Sequence, residues 1–305
     1  MTAITRRAAM AAAVAAAGAS AAATPTGFTD GYVQNGDVKI HFASIGKGPA
    51  VVFVHGFPDF WLTWEKQMKA VAATGHRAIA IDQRGYNLSD KPKGDENYAM
   101  AKMVSDVAAV IKQEGGGRCA LVGHDWGGVV SWTTAYTHPE MIERLAICNL
   151  PHPNGLSREL ANPDGKQATA STYAQNFKKP GAADRLTAEA LAHAASAPET
   201  YAAYVEAFKR SDLNAALAYY RMNYPSPPYV KGPDLPALKM RTLLVHGLGD
   251  TALLAPAIDG TWRWIDAPFE MLTVPGAGHF VQRDAAQEVS MALTHWLSLP
   301  PLKSA

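Results

Sequence analysis

The six residues Gly123-His-Asp-Trp-Gly-Gly128 constrain the fold of this chain more than any other segment. An apolar, strand-like run at 119–122 comes directly before them, and a stretch that can form a helix, 127–138, follows. Glycine tolerates the strained backbone and the close approach of neighbouring chain that a very tight turn requires. We therefore predict a strand, a sharp turn and a helix, with the side chain of Asp125 presented at the turn.

A carboxylate at such a turn has a restricted chemistry. A serine in this position forms acyl-enzymes, whereas a carboxylate attacks an sp³ carbon and forms an alkyl ester. A strand, turn and helix with a nucleophile between two spaced glycines is typical of the nucleophile elbow of α/β-hydrolases. In that fold an acid and then a histidine follow the nucleophile along the chain.

Asp250 and His279 are the candidates for this acid and this histidine. Asp250 ends the run His246-Gly-Leu-Gly-Asp250, directly after a predicted strand. His279 lies in the glycine-rich segment Pro275-Gly-Ala-Gly-His-Phe280, between a predicted strand and the last predicted helix. Loops at the carboxyl ends of parallel strands are where such a sheet places its active site. We predict that Asp125, Asp250 and His279 form a catalytic triad.

Apolar runs and helical periodicity alternate through most of the chain, which is typical of an α/β fold. The predicted strands are 38–43, 50–54, 77–81, 119–122, 145–149, 242–245 and 270–274. The predicted helices outside the elbow are 100–113, 186–197, 201–220 and 285–297. Continuous apolar strands indicate burial on both faces and therefore a mostly parallel sheet. From 151 to about 236 no strand pattern is present, so we predict a core at 24–151 and 237–305 with a helical cap at 152–236.

The segment His55-Gly-Phe-Pro58 directly follows the predicted strand at 50–54. A turn there can direct the backbone N–H of Phe57 at a developing oxyanion, together with the N–H of Trp126 behind the nucleophile. We predict that these two amides bind the oxyanion.

The first 23 residues have the composition of an export signal. Arg6 and Arg7 precede an uncharged, alanine-rich stretch from 8 to 23, with alanine spacings that fit cleavage after Ala21 or Ala23. The paired arginines and low hydrophobicity resemble a twin-arginine signal, so we expect a periplasmic or secreted protein. The stretch is too short and too weakly apolar for a stable membrane span.

Composition and charge exclude a nucleic-acid partner. The net charge of +1, with scattered lysine and arginine, gives no basic patch for nucleic acid. Cys119 and Cys148 are expected at opposite ends of neighbouring parallel strands, beyond disulfide reach, and therefore free. The sequence leaves the oligomeric state undetermined.

Several motifs together resemble the epoxide hydrolase branch of the α/β-hydrolases, over nearly all of the chain after residue 23. They are His55-Gly-Phe-Pro-Asp-Phe-Trp61, Asp82-Gln-Arg-Gly-Tyr-Asn-Leu-Ser-Asp90, Gly123-His-Asp-Trp-Gly-Gly128, Pro151-His-Pro153 and Ala218-Tyr-Tyr-Arg221. The resemblance implies an eight-stranded sheet with a helical cap, a small-molecule epoxide and water as reactants, and no metal or cofactor. It also implies that Tyr220 donates a hydrogen bond to the epoxide oxygen.

One departure from the family pattern concerns the second cap tyrosine. At the position where the resemblance places it, four residues before Pro180, this chain has Asn176, and Tyr173 stands one helical turn earlier. Two alternatives follow: Tyr173 reaches the epoxide, or Asn176 supplies a weaker amide donor. His152 has two alternatives as well, since it can line the substrate cavity or fix the hinge between core and cap.

The expected reaction is epoxide opening to a vicinal diol through an aspartyl ester. The main alternative is a haloalkane or haloacid dehalogenase, which uses the same aspartate nucleophile. Phe57 stands where haloalkane dehalogenases often have an asparagine, and Trp126 and Val129 stand where haloacetate dehalogenases have arginine. Both differences favour epoxides. A binding protein with an idle site is a third alternative, which the complete nucleophile, acid and histidine set disfavours.

Overall fold

A computed structural model describes residues 25–302, so the predicted export signal at 1–23 lies outside the described residues. Within this range the chain forms one eight-stranded sheet in the order β1-β2-β4-β3-β5-β6-β7-β8. The strands are β1 (Thr29–Asn35), β2 (Val38–Gly46), β3 (Ala50–Val54), β4 (Arg77–Ile81), β5 (Cys119–His124), β6 (Ile142–Cys148), β7 (Arg241–Gly247) and β8 (Phe269–Val274). β2 pairs antiparallel with β1 and β4, and the remaining pairs are parallel.

Helices flank this sheet and fill the long segment between β6 and β7. They are α1 (Glu65–Ala73), α2 (Met100–Gln113), α3 (Trp126–Thr137), α4 (Pro153–Ala161), α5 (Gln167–Ala170), α6 (Thr172–Phe177), α7 (Ala188–Ala195), α8 (Tyr201–Arg210), α9 (Leu213–Asn223), α10 (Val281–Asp284) and α11 (Ala286–Ser298). Short 3₁₀ helices occur at Trp61–Trp64, Asp95–Tyr98, Pro139–Met141, Ala183–Arg185, Pro198–Thr200, Ala255–Ile258 and Thr261–Trp264. The predicted mostly parallel α/β architecture is confirmed.

The central strands are apolar because both of their faces are covered. Val51 to Val54 in β3 and all six residues of β5 are buried. Parallel pairing brings the carboxyl ends of β3, β5, β6, β7 and β8 to one edge of the sheet. The loops that carry the predicted catalytic residues leave the strands at this edge.

Two sequence predictions differ from the structure. β1 was not predicted, because as an edge strand its residues are mostly polar and exposed. The predicted helix at 201–220 is two helices, α8 and α9, which are separated at Ser211 and Asp212. The Asp212 carboxylate accepts a hydrogen bond from the Ala215 N–H (3.0 Å), so it caps α9 and ends any continuous helix.

The helices α4–α9, which we call the cap helices, precede an extended segment at 225–237 that returns the chain to β7. Cys119 and Cys148 are buried and free, as predicted, and lie at opposite ends of the β5–β6 pair. Among residues 25–302, no helix is long and apolar enough to cross a membrane.

Candidate active site

The turn between β5 and α3 presents Asp125 in a strained backbone conformation. Asp125 has φ 51° and ψ −122°, a region that a residue with a Cβ atom rarely adopts. The neighbouring glycines allow close packing around it. A Cβ atom on Gly56 would collide with the Asp125 side chain, and one on Gly127 would collide with the Val54 and His55 carbonyl oxygens. This is the strand, sharp turn and helix predicted from the sequence.

Asp125, Asp250 and His279 lie together at the carboxyl edge of the sheet. His279 Nδ1 donates to Asp250 Oδ2 at 2.8 Å, and His279 Nε2 lies 3.6 Å from Asp125 Oδ2. The second Asp250 oxygen, Oδ1, accepts from the backbone N–H groups of Ala252 (2.8 Å) and Leu253 (3.0 Å). The acid is therefore fixed on its own loop and orients the histidine toward the elbow.

The Phe57 backbone lies against the elbow carboxylate. Its N–H donates to Asp125 Oδ1 at 2.7 Å. Trp126 is the first residue of α3, where the N–H groups of the first turn have no partner within the helix. The Phe57 N–H therefore stabilises negative charge on Asp125 Oδ1, and Oδ2 faces His279.

The charges of the three groups stabilise one another. Burial acts to raise the pKa of Asp125, but His279 and the Phe57 N–H outweigh it and lower that pKa below its ordinary value. Burial likewise opposes ionisation of Asp250, but hydrogen bonds from His279, Leu253 and Asn149 lower its pKa to about 2. The pKa of His279 is raised, because the two carboxylates outweigh the opposite effect of burial. These mutual interactions favour ionised acids and a protonated His279.

Two further residues, Asn149 and His124, form hydrogen bonds to members of the triad. Neither contact was predicted from the sequence. Asn149, which follows β6, has φ 41° and donates from Nδ2 to Asp250 Oδ2 at 2.7 Å. Its Oδ1 accepts from the Gly247 N–H at 3.1 Å. His124 Nε2 donates to the His279 carbonyl oxygen at 2.8 Å and so connects the elbow to the histidine loop. Burial lowers the pKa of His124 to about 4, so it is neutral.

A cavity of about 250 Å³ lies between the elbow and the cap helices. Within the described part of the chain, Asp125 is the one charged residue that lines the cavity. The aromatic part of the wall consists of Trp126, Tyr173, Tyr220, Tyr224 and Tyr229. Much of the remaining wall is aliphatic and includes Val129, Leu150, Leu156, Leu160 and Leu253. An uncharged, largely apolar ligand suits such a wall.

Tyr173 and Tyr220 reach this cavity from different helices, α6 and α9, with ring centroids 6.1 Å apart. Burial, and then the charge of Asp125 among nearby groups, raises the pKa of both hydroxyls well above the ordinary value. Both side chains are therefore protonated hydrogen-bond donors. Asn176, in contrast, is exposed, and its Oδ1 accepts from Lys179 Nζ at 2.8 Å. Of the two alternatives, the structure brings Tyr173 to the cavity and leaves Asn176 outside it.

His152 is buried but does not line this cavity. Its Nδ1 accepts from the Asn154 N–H (3.2 Å) at the start of α4, and its Nε2 lies 2.7 Å from the Tyr136 hydroxyl. Its ring stacks on Trp264 with centroids 4.8 Å apart. Of the two alternatives for His152, these contacts favour the hinge between core and cap over the substrate cavity. With both nitrogens engaged, it fixes the chain where the core leads into the cap helices.

No group of three or more histidine, cysteine, aspartate or glutamate side chains within residues 25–302 is arranged to hold a metal ion. The cavity wall offers a carboxylate and phenol hydroxyls, and the His279 imidazole lies 3.6 Å from that carboxylate. Together these groups can supply a nucleophile, hydrogen-bond donors and a base.

Comparison with known proteins agrees with this geometry. A family model described as the alpha/beta hydrolase fold matches residues 49–286, so the chain is an α/β-hydrolase. Epoxide hydrolase 1 of Caenorhabditis elegans is 33% identical over 291 residues, which span 89% of this chain and 71% of that protein. Epoxide hydrolase 3 of Xenopus tropicalis is 32% identical over 290 residues, spanning 88% of this chain and 77% of the relative.

A solved structure shows the same similarity. The epoxide hydrolase of Bacillus megaterium, in complex with an inhibitor, superposes with a TM-score of 0.81 at 28% identity, covering 88% of this chain and 100% of that chain. The chain belongs to the epoxide hydrolase branch of the α/β-hydrolase family.

Proposed function

We propose that this protein hydrolyses an uncharged, largely apolar epoxide to a vicinal diol through a covalent ester on Asp125. The observation that carries the proposal is the meeting of a buried carboxylate with two protonated tyrosines in one apolar cavity. A carboxylate nucleophile and phenol donors suit the opening of a strained ether, in which a C–O bond breaks and an alkoxide forms. Epoxide hydrolase activity in the named relatives supports the same reaction class.

In the first step Asp125 Oδ2 attacks one carbon of the epoxide. Oδ2 is the attacking atom because Oδ1 is held by the Phe57 N–H. As the new C–O bond forms, the carbon's bond to the epoxide oxygen breaks. Tyr220 and Tyr173 hydrogen-bond the emerging alkoxide, and a proton from a tyrosine neutralises it. Such general-acid assistance contributes about 10²–10⁴-fold.

In the second step His279 activates water. Ester formation neutralises Asp125, so one of the two negative partners that raise the pKa of His279 is lost. The imidazole can then release its proton to solvent, while the tyrosinate left by the first step takes one up. His279 then takes a proton from water, whose oxygen attacks Cγ of Asp125. The Phe57 and Trp126 N–H groups stabilise the tetrahedral oxyanion. The ester bond breaks, His279 protonates the departing oxygen, and the carboxyl group formed on Asp125 passes its proton to His279. The diol leaves and the resting site is restored.

A single turnover in heavy-oxygen water tests this route. Enzyme in excess is mixed with styrene oxide, and mass spectrometry follows both the diol and the peptide that contains Asp125. We expect diol without label and one labelled oxygen in the Asp125 carboxylate. Label in the diol alone would mean direct attack by water and would exclude the covalent route.

The dehalogenase alternative is tested with the same preparation. Bromide release from a panel of bromoalkanes is measured beside diol formation from a panel of epoxides. We expect diol formation and no comparable bromide release, because the Phe57 side chain offers no second halide donor. Bromide release without diol from any epoxide would overturn the proposed substrate class.

A further inference from the structure

The side-chain amide of Gln167 joins the cap helices to the loop of the catalytic acid. Gln167 begins α5 and is 1% exposed. Its Nε2 donates to the Ala252 carbonyl oxygen at 2.8 Å, and its Oε1 accepts from the Leu254 N–H at 2.8 Å. The backbone of the same loop donates to Asp250. This loop is therefore held by Asp250 on one side and by Gln167 on the other.

The same amide also reaches the segment that carries Tyr173. Gln167 Nε2 donates to Ser171 Oγ at 3.0 Å, and the Tyr224 hydroxyl donates to the same Ser171 oxygen at 2.8 Å. Ser171 is fully buried and directly precedes α6, whose second residue is Tyr173. Gln167, Ser171 and Tyr224 thus form a cluster next to this tyrosine, and we call it the Gln167 cluster.

Tyr173 depends on such contacts because α6 contains only six residues. A helix of this length is not stable by itself, so packing and side-chain bonds must fix its position. Ser171 is the point where the Gln167 cluster meets the start of α6. If Ser171 moves, the Tyr173 hydroxyl moves with it.

We propose that Gln167 is a positioning residue that fixes the positions of Tyr173 and Asp250 relative to each other across the active site. It acts through Ser171 on the tyrosine and through the 252–254 loop on the acid. This inference rests on the proposed function, in which Tyr173 assists epoxide opening and Asp250 orients His279 for ester hydrolysis. One buried amide thereby affects both chemical steps.

The amide group suits this place because it donates two hydrogen bonds and accepts one. Methionine has similar length and apolar volume but makes none of these bonds. Gln167→Met should therefore loosen both connections without leaving a large cavity. Ser171→Ala removes only the acceptor beside Tyr173 and keeps the two bonds of Gln167 to the 252–254 loop.

The two chemical steps are measured separately with styrene oxide, by rapid quench of enzyme in excess and mass analysis of the Asp125 ester. We expect Gln167→Met to slow alkylation and ester hydrolysis by about tenfold or more each, since a misplacement of about 1 Å can cost about 10²-fold. We expect Ser171→Ala to slow alkylation alone. This division between steps distinguishes positioning from a general loss of stability.

Asn35→Leu is the matched control. The Asn35 amide also makes two donor bonds, to Ser105 Oγ (3.0 Å) and Asp106 Oδ1 (2.8 Å), and accepts one from Ser105. It lies on β1, at the opposite edge of the sheet from β7 and β8. We expect this variant to lose thermal stability while both chemical steps keep their wild-type rates.

Hydrogen–deuterium exchange provides a readout that does not depend on catalysis. Gln167→Met should speed exchange in peptides covering 171–177 and 250–254, and Ser171→Ala only in 171–177. Unchanged exchange in both peptides of Gln167→Met, or faster exchange with unchanged rates of both steps, would overturn the positioning role. If the wild type forms no diol from any epoxide, the proposed function fails. Hydrogen–deuterium exchange in Gln167→Met would still show whether Gln167 holds the segments 171–177 and 250–254.

Discussion

The core half and the cap half of the active site are held in place by different kinds of contact. In the core half, Asp125, Asp250 and His279 follow β5, β7 and β8, and backbone N–H groups bind the Asp125 and Asp250 carboxylates directly. In the cap half, two tyrosines project from helices that depend on side-chain contacts. The comparison indicates that the triad geometry is a property of the sheet, whereas the donor geometry depends on how each cap helix is anchored.

The helices that carry Tyr173 and Tyr220 also differ from each other in how they are anchored to the core. α9, which carries Tyr220, is tied directly to the core: Arg221 pairs with Asp95 through two bonds of 2.6 and 2.7 Å, and the Tyr219 hydroxyl donates to the Arg84 carbonyl oxygen. α6, which carries Tyr173, meets the core through the ring contact of Phe177 with Phe57 (centroids 5.3 Å apart) and through the Gln167 cluster. Tyr220 is therefore the donor with the firmer support.

Removal of the core nucleophile should have the largest effect. We expect Asp125→Ala to lower turnover by on the order of 10⁶-fold, as for other covalent nucleophiles. Measurement of diol formation with a full epoxide panel checks this. Residual activity within about tenfold of the wild type would show that the carboxylate is not the nucleophile. The comparison of the core half with the cap half of the site would then no longer hold.

Substitution of the core base should separate the two steps. In His279→Gln we expect alkylation to persist and ester hydrolysis to slow by about 10²–10⁴-fold, because the general base for water is lost. Intact-mass analysis after mixing with epoxide should then show an adduct, and digestion should locate it on Asp125. A variant with no adduct and no diol would contradict the assignment of His279 to the second step alone.

The cap tyrosines should have smaller and unequal effects. Loss of one hydrogen bond to a charged oxygen costs about 1.5–3 kcal/mol. We expect Tyr220→Phe to slow alkylation by about 10²-fold and Tyr173→Phe by about tenfold, because α9 is the more firmly anchored helix. Tyr229→Phe, a tyrosine at the cavity wall in the 225–237 segment, serves as the comparison variant. Equal effects of Tyr220→Phe and Tyr173→Phe would show that the anchoring of a helix does not determine how much its tyrosine contributes to alkylation.

The pH dependence should again divide the steps. Alkylation needs an ionised Asp125, whose pKa is lowered, so its rate should be constant from about pH 5 to 9. Hydrolysis needs a neutral His279, so its rate should rise with pH, by up to about tenfold per pH unit below the pKa in the ester. The trapped ester fraction in steady state should therefore fall as pH rises. An ester fraction that increases with pH would contradict this assignment of charges.

The core half of the site could be predicted from the sequence because its geometry is encoded locally. A glycine-flanked turn after an apolar strand predicts where Asp125 lies, and Asp250 and His279 each follow a strand of the same parallel sheet. Asn149 was not predicted, because its role depends on a left-handed backbone conformation and on a partner 101 positions away. Asparagine after a strand is by itself a weak signal, although asparagine adopts that conformation more readily than most residues.

The cap half could be predicted only in part. Helical periodicity indicates helices at 186–197 and 201–220, but it does not indicate which faces meet the cavity. The choice between Tyr173 and Asn176 depended on the rotation of a six-residue helix, which no periodicity in so short a segment defines. The role of His152 stayed open between two alternatives because an imidazole near a site can equally bind a ligand or close a hydrogen-bond network, and only its partners decide between the two.

The hydrogen bond between the Phe57 N–H and Asp125 Oδ1 makes the two oxygens of the nucleophile permanently unequal. In the proposed reaction, each turnover would give the Oδ2 atom to the product and replace it with an oxygen from solvent, while Oδ1 would stay in place. After many turnovers in heavy-oxygen water, each protein molecule should therefore carry one exchanged atom in this carboxylate and never two. The enzyme would retain one of its original oxygens throughout its working life and renew the other with every cycle.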